Sequence, residues 1–453
     1  MIVSPIFRVN HILLKPMTAR IPLFALVLLS TVNHLFAQEL ISGPMVGYGT
    51  MTEVAIWVQT KDDSKVSIDY WEKGKRDSTL TSTISSAENL ALTYEFHISK
   101  LKPGKTYEYT ILINDKLLNE SANYSFNTQP LWQFRTDPPE FSVALGSCNY
   151  VNEPPYDRPG KIFGGNHTIF NTIADKAPNM MLWLGDNIYL REVDWNSRSG
   201  YIHRYTHTRS IPELQRLLSS CNNYAIWDDH DFGPNDANGS WIHKDWALET
   251  FDMFWANPTT GLPELKGITT AFEYVDIDFF LLDNRYHRSA DNLIVGQTEI
   301  IGNEQIEWLI QFLKYSRAPF KMVAIGGQVL NTAPVYETHA VYSEERKYLI
   351  RRIVEEQVEG VVFLTGDRHH TELSRYEDES GIIIYDLTVS PLTAGTHKDD
   401  KEENKLRVEN TLVNERNFGL ITFCGPRRER QMKISIFDSD GDLIWNKIID
   451  QNE

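Results

Sequence analysis

Four ionisable residues in a row, Asp228-Asp229-His230-Asp231, directly follow the apolar run 224–227 of this 453-residue chain. Such a run is costly at the end of a buried strand, because like charges that lie close together repel each other and lose solvation. A bound multivalent cation would compensate the carboxylates. The alternative is a solvated acidic turn, since charged residues usually lie on the surface.

The same pattern, an apolar strand followed by residues that bind metals, occurs three more times. The three further ends are Gly146-Ser147-Cys148, Gly185-Asp186-Asn187-Ile188-Tyr189 and Gly366-Asp367-Arg368-His369-His370. Ligands of α/β sheets bind beyond the carboxyl ends of the strands, where glycine allows the backbone to turn tightly. Four such ends with oxygen, sulfur or imidazole donors therefore predict a metal centre.

The segments that must position these donors alternate between strand-like and helix-like patterns from residue 141 onward. Seven apolar runs predict strands, at 141–148, 180–186, 224–231, 278–285, 321–328, 360–367 and 381–390. Residues 303–315 and 343–356 predict helices, because their apolar residues recur at helical spacing. This alternation is typical of an α/β core whose sheets are covered by helices. The tail, with an Asp440-Gly441 turn, predicts a closing hairpin.

Residues 38–135 have a different pattern, with short alternating runs, frequent turn residues and no cluster of His, Cys and Asp. They predict a small N-terminal β-sandwich. The segment from Trp132 to Pro139, which ends with two adjacent prolines, predicts a linker. The predicted domains are therefore 38–135 and 136–453.

Residues 1–37 combine a basic flank, no acidic residue and an apolar run that is short for a membrane span. They predict a signal peptide, hence an exported protein, periplasmic or secreted, with no stable membrane span after its removal. The net charge of -17 argues against a nucleic-acid scaffold with a broad basic surface. Three cysteines leave at least one unpaired, and metal ligation would occupy such a thiol in an oxidising compartment.

Taken in order, four motifs resemble those of the PhoD-like alkaline phosphatases, within the calcineurin-like metallophosphoesterase superfamily. They are Gly-Ser-Cys at 146–148, Gly-Asp-x-x-Tyr at 185–189, Trp-Asp-Asp-His-Asp at 227–231 and Gly-Asp-x-His at 366–369. The resemblance covers the chain from about 141 to its end, and the N-terminal region is similar to the module that precedes this core in the family. It implies a metallophosphoesterase-like layered α/β core and hydrolysis of phosphate esters outside the cytoplasm.

The resemblance also implies Fe(III) and Ca(II), with other divalent ions as alternatives. Carried onto this sequence, the metal ligands are Cys148, Asp186, Tyr189, Asp229, Asp367 and His369. The first three would hold the iron, Asp186 would bridge to the second ion at Asp229, and the last two would complete the shell. Two alternatives stay open, because Cys148 could be a small buried apolar residue and Tyr189 a packing residue.

The resemblance assigns catalysis to Asp186 and His230. The hypothesis is that a metal-activated water attacks phosphorus in line, while His230 assists departure of the leaving group or stabilises charge on the phosphate. Candidate contacts to substrate are Asn235, Asn187 and Arg158. Asn235 follows Gly-Pro, where a turn also favours asparagine.

The roles of two further residues stay open. His370 is expected to lie behind the ligands, because adjacent residues on a strand point to opposite faces. Gln328 stands at a strand end where relatives use histidine, which is weak evidence for a role at the metals.

Two other functions remain as alternatives. One is a phosphodiesterase acting on phospholipid, nucleotide or wall polymer. The other is a non-enzymatic exported binding protein with a structural metal site, although a purely structural shell has no need of His230. The sequence leaves the oligomeric state open.

Overall fold

The structure, a computed structural model, describes residues 40–118, 124–397 and 402–452. The predicted signal peptide at 1–37 lies outside the described residues. Within these three ranges, no helix is both long and apolar enough to cross a membrane.

Eight strands form the N-terminal region. They are β1 (Leu40–Gly49), β2 (Val54–Thr60), β3 (Val66–Glu72), β4 (Leu80–Ile84), β5 (Thr93–Ile98), β6 (Thr106–Ile113), β7 (Lys116–Leu117) and β8 (Tyr124–Asn127), with a 3₁₀ turn at Arg76–Ser78. Strands β3, β4, β6, β7 and β8 form one sheet, whereas β1, β2 and β5 belong to a larger one. Side chains of both sheets, such as Ile56 and Ile68, share one buried cluster. The predicted β-sandwich is confirmed as two packed sheets.

The rest of the chain alternates strands and helices, as predicted. The strands are β9 (Phe141–Gly146), β10 (Met180–Leu184), β11 (Asn222–Ile226), β12 (Thr270–Tyr274), β13 (Ile277–Leu281), β14 (Lys321–Ala324), β15 (Val361–Thr365), β16 (Glu372–Glu377), β17 (Ile383–Thr388), β18 (Asn417–Cys424), β19 (Gln431–Asp438) and β20 (Leu443–Asp450). The helices are α1 (Thr168–Asp175), α2 (Arg198–Arg209), α3 (Pro212–Ser220), α4 (Asp229–Phe232), α5 (Lys244–Phe254), α6 (Gly302–Tyr315) and α7 (Ser343–Glu355). Strands β19 and β20 form the predicted hairpin.

The observed strands are shorter than the apolar runs, because the chain turns before the polar residues at each end. The largest difference is at 224–231, where the strand ends at Ile226 and α4 begins at Asp229. Asp228 caps this helical turn through a hydrogen bond from the backbone N of Asp229, 3.1 Å long. The carboxylate of Asp231 accepts the backbone N–H of Asp228 at 3.0 Å in return. This reciprocal capping places Asp228 and Asp231 on the protein side of the turn.

Two sheets build the core. The larger has the order β20-β19-β18-β9-β10-β11-β1-β2-β5, and the smaller has the order β12-β13-β14-β15-β17-β16. Strand β1 pairs with β11 in parallel, so the N-terminal region and the core share one sheet. The domain boundary at 135/136 stays a prediction.

The side chains of β13, β14 and β15 alternate between two buried clusters. Phe279 and Leu364 face the cluster that contains Leu182 of the larger sheet. Phe280 and Phe363 face the cluster formed with α6 and α7. Helices α1 and α3 pack on the larger sheet through their buried residues. The predicted layered α/β core is confirmed as four layers, with helices outside and two sheets between them.

Candidate active site

Strands β9, β10 and β11 run parallel in one sheet, so the loops that follow them meet at one edge. The loop after β15 arrives from the other sheet. Together they form the floor of a cavity of about 1020 Å³. Its lining includes the predicted residues Asp186, Tyr189, Asp229, His230, Asp367 and His369. The four strand ends singled out in the sequence therefore converge on one volume.

Four non-glycine residues of these loops adopt left-handed backbone conformations. The φ angles are 59° at Cys148, 51° at Asp186, 66° at Asp367 and 55° at His369. Such conformations cost about 1–3 kcal/mol each and persist only when the surroundings enforce them. Backbone hydrogen bonds do so here, including Asn149 N to the carbonyl of Asp186 at 2.8 Å. Four predicted ligand positions therefore have backbone conformations that the surrounding loops must enforce.

The first donor group consists of Cys148, Asp186 and His369, whose ligand atoms lie within 4.8 Å of one another. The Cys148 thiol lies 3.6 Å from Asp186 Oδ2 and receives a hydrogen bond from the Ser390 hydroxyl at 3.1 Å. The Tyr189 hydroxyl lies 3.2 Å from His369 Nε2. Sulfur, carboxylate, imidazole and phenol thus converge on one point.

The second donor group consists of Asp186, Asp229 and His230, again within 4.8 Å. Asp229 Oδ2 accepts the backbone N–H of Asp236 at 2.7 Å. Its Oδ1 is buried and accepts no hydrogen bond from the part of the chain that the structure describes. A buried carboxylate oxygen of this kind requires a partner, and a cation is a suitable one. Because Asp186 belongs to both groups, the geometry fits two neighbouring cations.

A third acidic group consists of Asp228, Asp229 and Glu337, and arginines of the chain pair with two of its members, Asp228 and Glu337. Arg285 is fully buried and forms ion pairs with Asp228 and Glu337. Arg288 adds a second guanidinium 2.5 Å from Glu337. This group is an ion-pair network supplied by the chain itself.

The buried acidic groups of the site differ in the direction of their pKa shifts. Burial raises the pKa of Cys148 to about 12 and that of Asp367 to about 7, and nearby carboxylates add to both shifts. Burial and the neighbouring Asp229 raise the pKa of Asp186 well above its usual range. In contrast, the charges of His230 and Arg285 outweigh burial and hold the pKa of Asp229 below its usual range. A donor set that resists ionisation without a counter-charge is the kind that bound cations stabilise.

The three candidate substrate contacts lie in different places. Asn235 and Arg158 line the cavity, and both are exposed. Arg158 is paired with Glu192 at 3.2 Å. Asn187 is buried behind the cavity wall, where its amide donates to the carbonyl of Ile226 at 2.8 Å. The structure therefore brings two of the three to the cavity and gives Asn187 a place in the supporting loop.

His370 and Gln328, whose roles the sequence leaves open, lie beneath the predicted metal ligands. His370 is fully buried and faces Glu372 at 4.0 Å, as expected from its alternation with His369. The Gln328 amide donates to Glu372 at 2.8 Å, and its oxygen accepts from Arg368 at 2.7 Å. Both belong to a buried polar network under the loop that follows β15.

Sequence reasoning missed the arginines of the site and their partners. Arg285 follows β13 in Asp283-Asn284-Arg285, a polar strand end like the four that were recognised, so its signal was present. Glu337 lies in a loop between β14 and α7. No periodic or glycine-marked pattern distinguishes it, and only the fold brings it to Arg285.

Comparisons with known proteins identify the family and the fold of the chain. The sequence profile of the PhoD-like phosphatase family matches residues 143–425, and a domain of unknown function, DUF7800, matches 37–131. A solved structure described as PhoD superposes with a TM-score of 0.72 at 18% identity, covering 90% of this chain and 88% of the other. The purple acid phosphatase PPD1 from yellow lupin seeds gives 0.65 at 12% identity, covering 90% and 74%. No curated protein matches the sequence significantly.

The two facing sheets flanked by helices form a metallophosphoesterase-type fold, and its strand ends carry acidic and histidine groups that could hold metal ions. The chain belongs to the PhoD-like phosphatase family, whose profile spans more than half of its length. It is therefore a phosphoester hydrolase, and the resemblance inferred from the four motifs is confirmed.

Proposed function

We propose that this chain is an exported hydrolase that acts on phosphoesters with two metal ions, Fe(III) and Ca(II). The observation that carries the proposal is that Asp186 belongs to both donor groups, one with Cys148 and His369 and one with Asp229 and His230. One carboxylate can bridge two cations through its two oxygens. Ions about 3.5–4 Å apart can stabilise both the attacking and the leaving oxygen of an in-line displacement.

The proposed ligands divide by donor type. Cys148, Asp186 and Tyr189 combine thiolate, carboxylate and phenolate, a set that fits a ferric ion. Asp229 and Asp367 supply oxygen ligands of the kind that Ca²⁺ prefers. When bound, the ions would supply Lewis-acid charge and lower the pKa of a water molecule.

The imidazoles have separate roles in this proposal. His369 completes the metal shell, because its Nδ1 faces the carbonyl of Gly395 and its Nε2 faces Tyr189. His230 lies beside Tyr189, with 4.2 Å between the ring centroids and 33° between the ring planes, and it lines the cavity. In this proposal it holds a proton near the oxygen of the departing group. Asn235 and Arg158 would contact the substrate from the rim, Arg158 by exchanging Glu192 for phosphate.

Replacing Asp186 by Asn tests the bridging role. We expect kcat/KM for p-nitrophenyl phosphate to fall by more than about 100-fold, equivalent to about 3 kcal/mol of transition-state stabilisation. Metal content measured by mass spectrometry should fall in the same variant. Asp440→Asn, an exposed carboxylate at the β19–β20 turn, is the matched control. Near-normal turnover with full metal content in Asp186→Asn would refute the proposal.

The identity of the proposed iron ligands is tested by spectroscopy. Phenolate or thiolate bound to Fe(III) produces a charge-transfer band in the visible spectrum. We expect this band in the purified protein, and we expect Tyr189→Phe to shift or remove it. A colourless protein that contains a full complement of divalent metal would contradict iron as the bound ion and would point to another metal.

The cavity favours phosphodiesters as a second class of substrate. Its volume of about 1020 Å³ is well above the space that a phosphate group fills, and Phe163 and Tyr336 lie in its walls. A diester could therefore place a group on each side of the phosphorus. Comparing kcat/KM for p-nitrophenyl phosphate and bis(p-nitrophenyl) phosphate decides between the two activities.

Export is proposed from residues 1–37, and a division into domains 38–135 and 136–453 from the change in sequence pattern. Expression in a bacterial host, cell fractionation and N-terminal sequencing test the first point. A mature N-terminus near Gln38 in the exported fraction is expected, whereas an intact protein in the cytoplasm would contradict export. Limited proteolysis near 132–139 tests the second.

A further inference from the structure

Two apolar side chains line the cavity beside the first donor group. Phe163 is 39% exposed, and its ring centroid lies 5.7 Å from that of His369 and 6.4 Å from that of Tyr189. The adjacent Ile162 also lines the cavity and is 74% exposed. Phe163 and Ile162 are here named the apolar wall. Ligand cavities typically use such side chains to bury the apolar part of a ligand.

The Phe163 ring is held from the protein side. It meets the Tyr150 ring edge-to-face, with 4.9 Å between the centroids and 74° between the planes, an arrangement that aromatic pairs prefer. On another side the ring lies against Gly395, where an added Cβ would come within 2.7 Å of the ring Cε2 and force the ring to move. The Gly395 carbonyl also faces His369 Nδ1. The ring and a proposed metal ligand therefore share one support.

Hydrogen bonds fix the backbone of the loop that carries the wall. Arg416 donates through Nε to the carbonyls of Thr393 and Ala394, each at 2.9 Å, and through Nη2 to the carbonyl of Phe163 at 3.2 Å. The backbone N–H of Gly165 donates to the carbonyl of Thr393 at 2.7 Å. A surface that is already in place before a ligand arrives loses little conformational entropy on binding.

The position of the wall determines which part of a substrate it contacts. With the phosphate at the two donor groups, the organic group of the ester must extend into the cavity. Because the Phe163 ring lies directly beside His369 and Tyr189, the organic atoms next to the phosphate come within its reach. Apolar atoms there would remove their own surface and that of the ring from water. Hydroxyl groups there would lose hydrogen bonds to water and find no replacement on the ring.

We propose that Phe163, together with Ile162, is a specificity-determining residue that selects phosphoesters whose organic group is apolar, an aryl or alkyl group in contact with the ring. This inference rests on the proposed function, because it takes the phosphate to bind at the two donor groups. It names a chemical class of substrate that the donor groups themselves do not specify.

The test compares non-hydrolysable phosphonates, so it measures binding and not turnover. Purified protein with its bound metal is titrated by calorimetry with methylphosphonate, phenylphosphonate and 2,3-dihydroxypropylphosphonate. We expect phenylphosphonate to bind about 10-fold more tightly than methylphosphonate, equivalent to about 1.4 kcal/mol. The dihydroxypropyl compound should bind no more tightly than methylphosphonate. If it bound as tightly as phenylphosphonate, size and not polarity would decide, and the proposal would be wrong.

Phe163→Ala should remove the preference for the phenyl group. The ratio of the Kd for methylphosphonate to the Kd for phenylphosphonate should fall from about 10 to about 1–2. Metal content and the affinity for methylphosphonate should stay close to those of the wild type. Phe163→Leu keeps an apolar side chain and should retain much of the preference. Phe134→Ala is the matched control, because Phe134 is 99% exposed and does not line the cavity, and it should leave the ratio unchanged.

A wild-type ratio in Phe163→Ala would overturn the proposal. Equal weakening of both phosphonates would also overturn it, because Phe163 would then only support the proposed metal ligands. A ratio in Phe163→Leu as low as that in Phe163→Ala would contradict apolar contact as the cause. Failure of the proposed function would look different, since the wild-type protein would then bind none of the three phosphonates and hydrolyse no phosphoester.

Discussion

Asp228 and Asp229 are adjacent in sequence and both buried, yet their electrostatic partners differ. Asp228 forms an ion pair with Arg285 and accepts the amide of Asn284 at 2.8 Å. Asp229 has Arg285 only at 3.8 Å, and it shares a donor group with another carboxylate, Asp186. The first belongs to an arginine-paired cluster, defined as Asp228, Glu337, Arg285 and Arg288. The second belongs to an open cluster, defined as Cys148, Asp186, Asp229 and Asp367.

The difference separates the acidic residues that arginines of the chain neutralise from those that we propose as metal ligands. An uncompensated buried charge costs several kcal/mol, so every buried carboxylate requires a counter-charge or hydrogen bonds. The arginine-paired cluster carries its own cations, and the carboxylates of Asp228 and Glu337 raise the pKa of Arg285 well above its usual range in spite of burial. In the open cluster, burial and neighbouring carboxylates raise the pKa of Asp186 and of Asp367, although His230 and Arg285 hold the pKa of Asp229 below its usual range. Our proposal is that bound metal supplies the counter-charge that this cluster still needs.

The largest expected effect comes from removing the built-in cation. Arg285→Met leaves Asp228 and Glu337 buried without their main partner, so unfolding free energy should fall by about 3–5 kcal/mol. Urea denaturation should give the same loss with and without a chelator, because the arginine-paired cluster does not depend on metal. Arg351→Met removes an exposed pair with Glu355 and should change stability by less than about 1 kcal/mol. If the loss of unfolding free energy in Arg285→Met disappeared in chelator, the arginine-paired cluster would depend on metal and the distinction between the two clusters would fail.

A carboxylate can also be buried with hydrogen bonds alone, and the next largest expected effect, on the pH dependence of stability, comes from such a residue. Asp386 is buried and accepts the backbone N–H groups of Val329 and Leu330, each at 2.8 Å. Burial raises its pKa from 3.8 to about 6. The folded protein therefore keeps this proton after the unfolded chain has lost it. This contribution lowers stability as pH rises from about 4 to about 6, by about 3 kcal/mol in total.

Asp386→Asn should remove that slope. Across this pH window, the unfolding free energy of the variant should rise relative to that of the wild type. Above the window, the difference between the two should stay constant. Asp440→Asn, at the exposed hairpin turn, serves as the control and should run parallel to the wild type. A pH-independent difference for Asp386→Asn would mean that the carboxylate stays ionised in the fold.

The positions of seven core strands along the chain and the four loops with candidate ligands could be predicted from sequence, because each carries a local signal. An apolar run that ends in Gly146 or Gly185 indicates both a strand and a turn, and Cys148 or Asp186 lies one or two residues further on. Family motifs then linked these separate loops. The helix α6 was predictable to within one residue from the spacing of its apolar side chains.

The partners of the ligands were not predictable in the same way. Glu337 and Glu402 lie in loops without periodicity, and long-range contacts pair them with Arg285 and Arg368. Likewise, the shared sheet of β1 and β11 depends on a pairing between distant segments. Neutralisation of buried charge is a property of the folded arrangement, and no single stretch of sequence encodes it.

The smallest expected effect is the one that distinguishes the clusters most sharply, because its sign depends on metal. Asp367→Asn removes one negative charge from the open cluster, where burial and other carboxylates raise the pKa of Asp367 to about 7. In chelator at pH 8, the variant should be more stable than the wild type by about 1–2 kcal/mol, because repulsion is relieved. With saturating metal it should be less stable, because the wild type gains about 2.7 kcal/mol from an ion present at 100 times its Kd.

Asp228→Asn provides the contrast for this experiment. It removes a charge that Arg285 already neutralises, so it should destabilise the protein both with and without metal. Thermal unfolding of the two variants and the wild type, each in chelator and in Ca²⁺, gives six values that test the distinction. If Asp367→Asn lowers stability equally in both conditions, Asp367 belongs with the architectural carboxylates, and the open cluster must bind its cations without it.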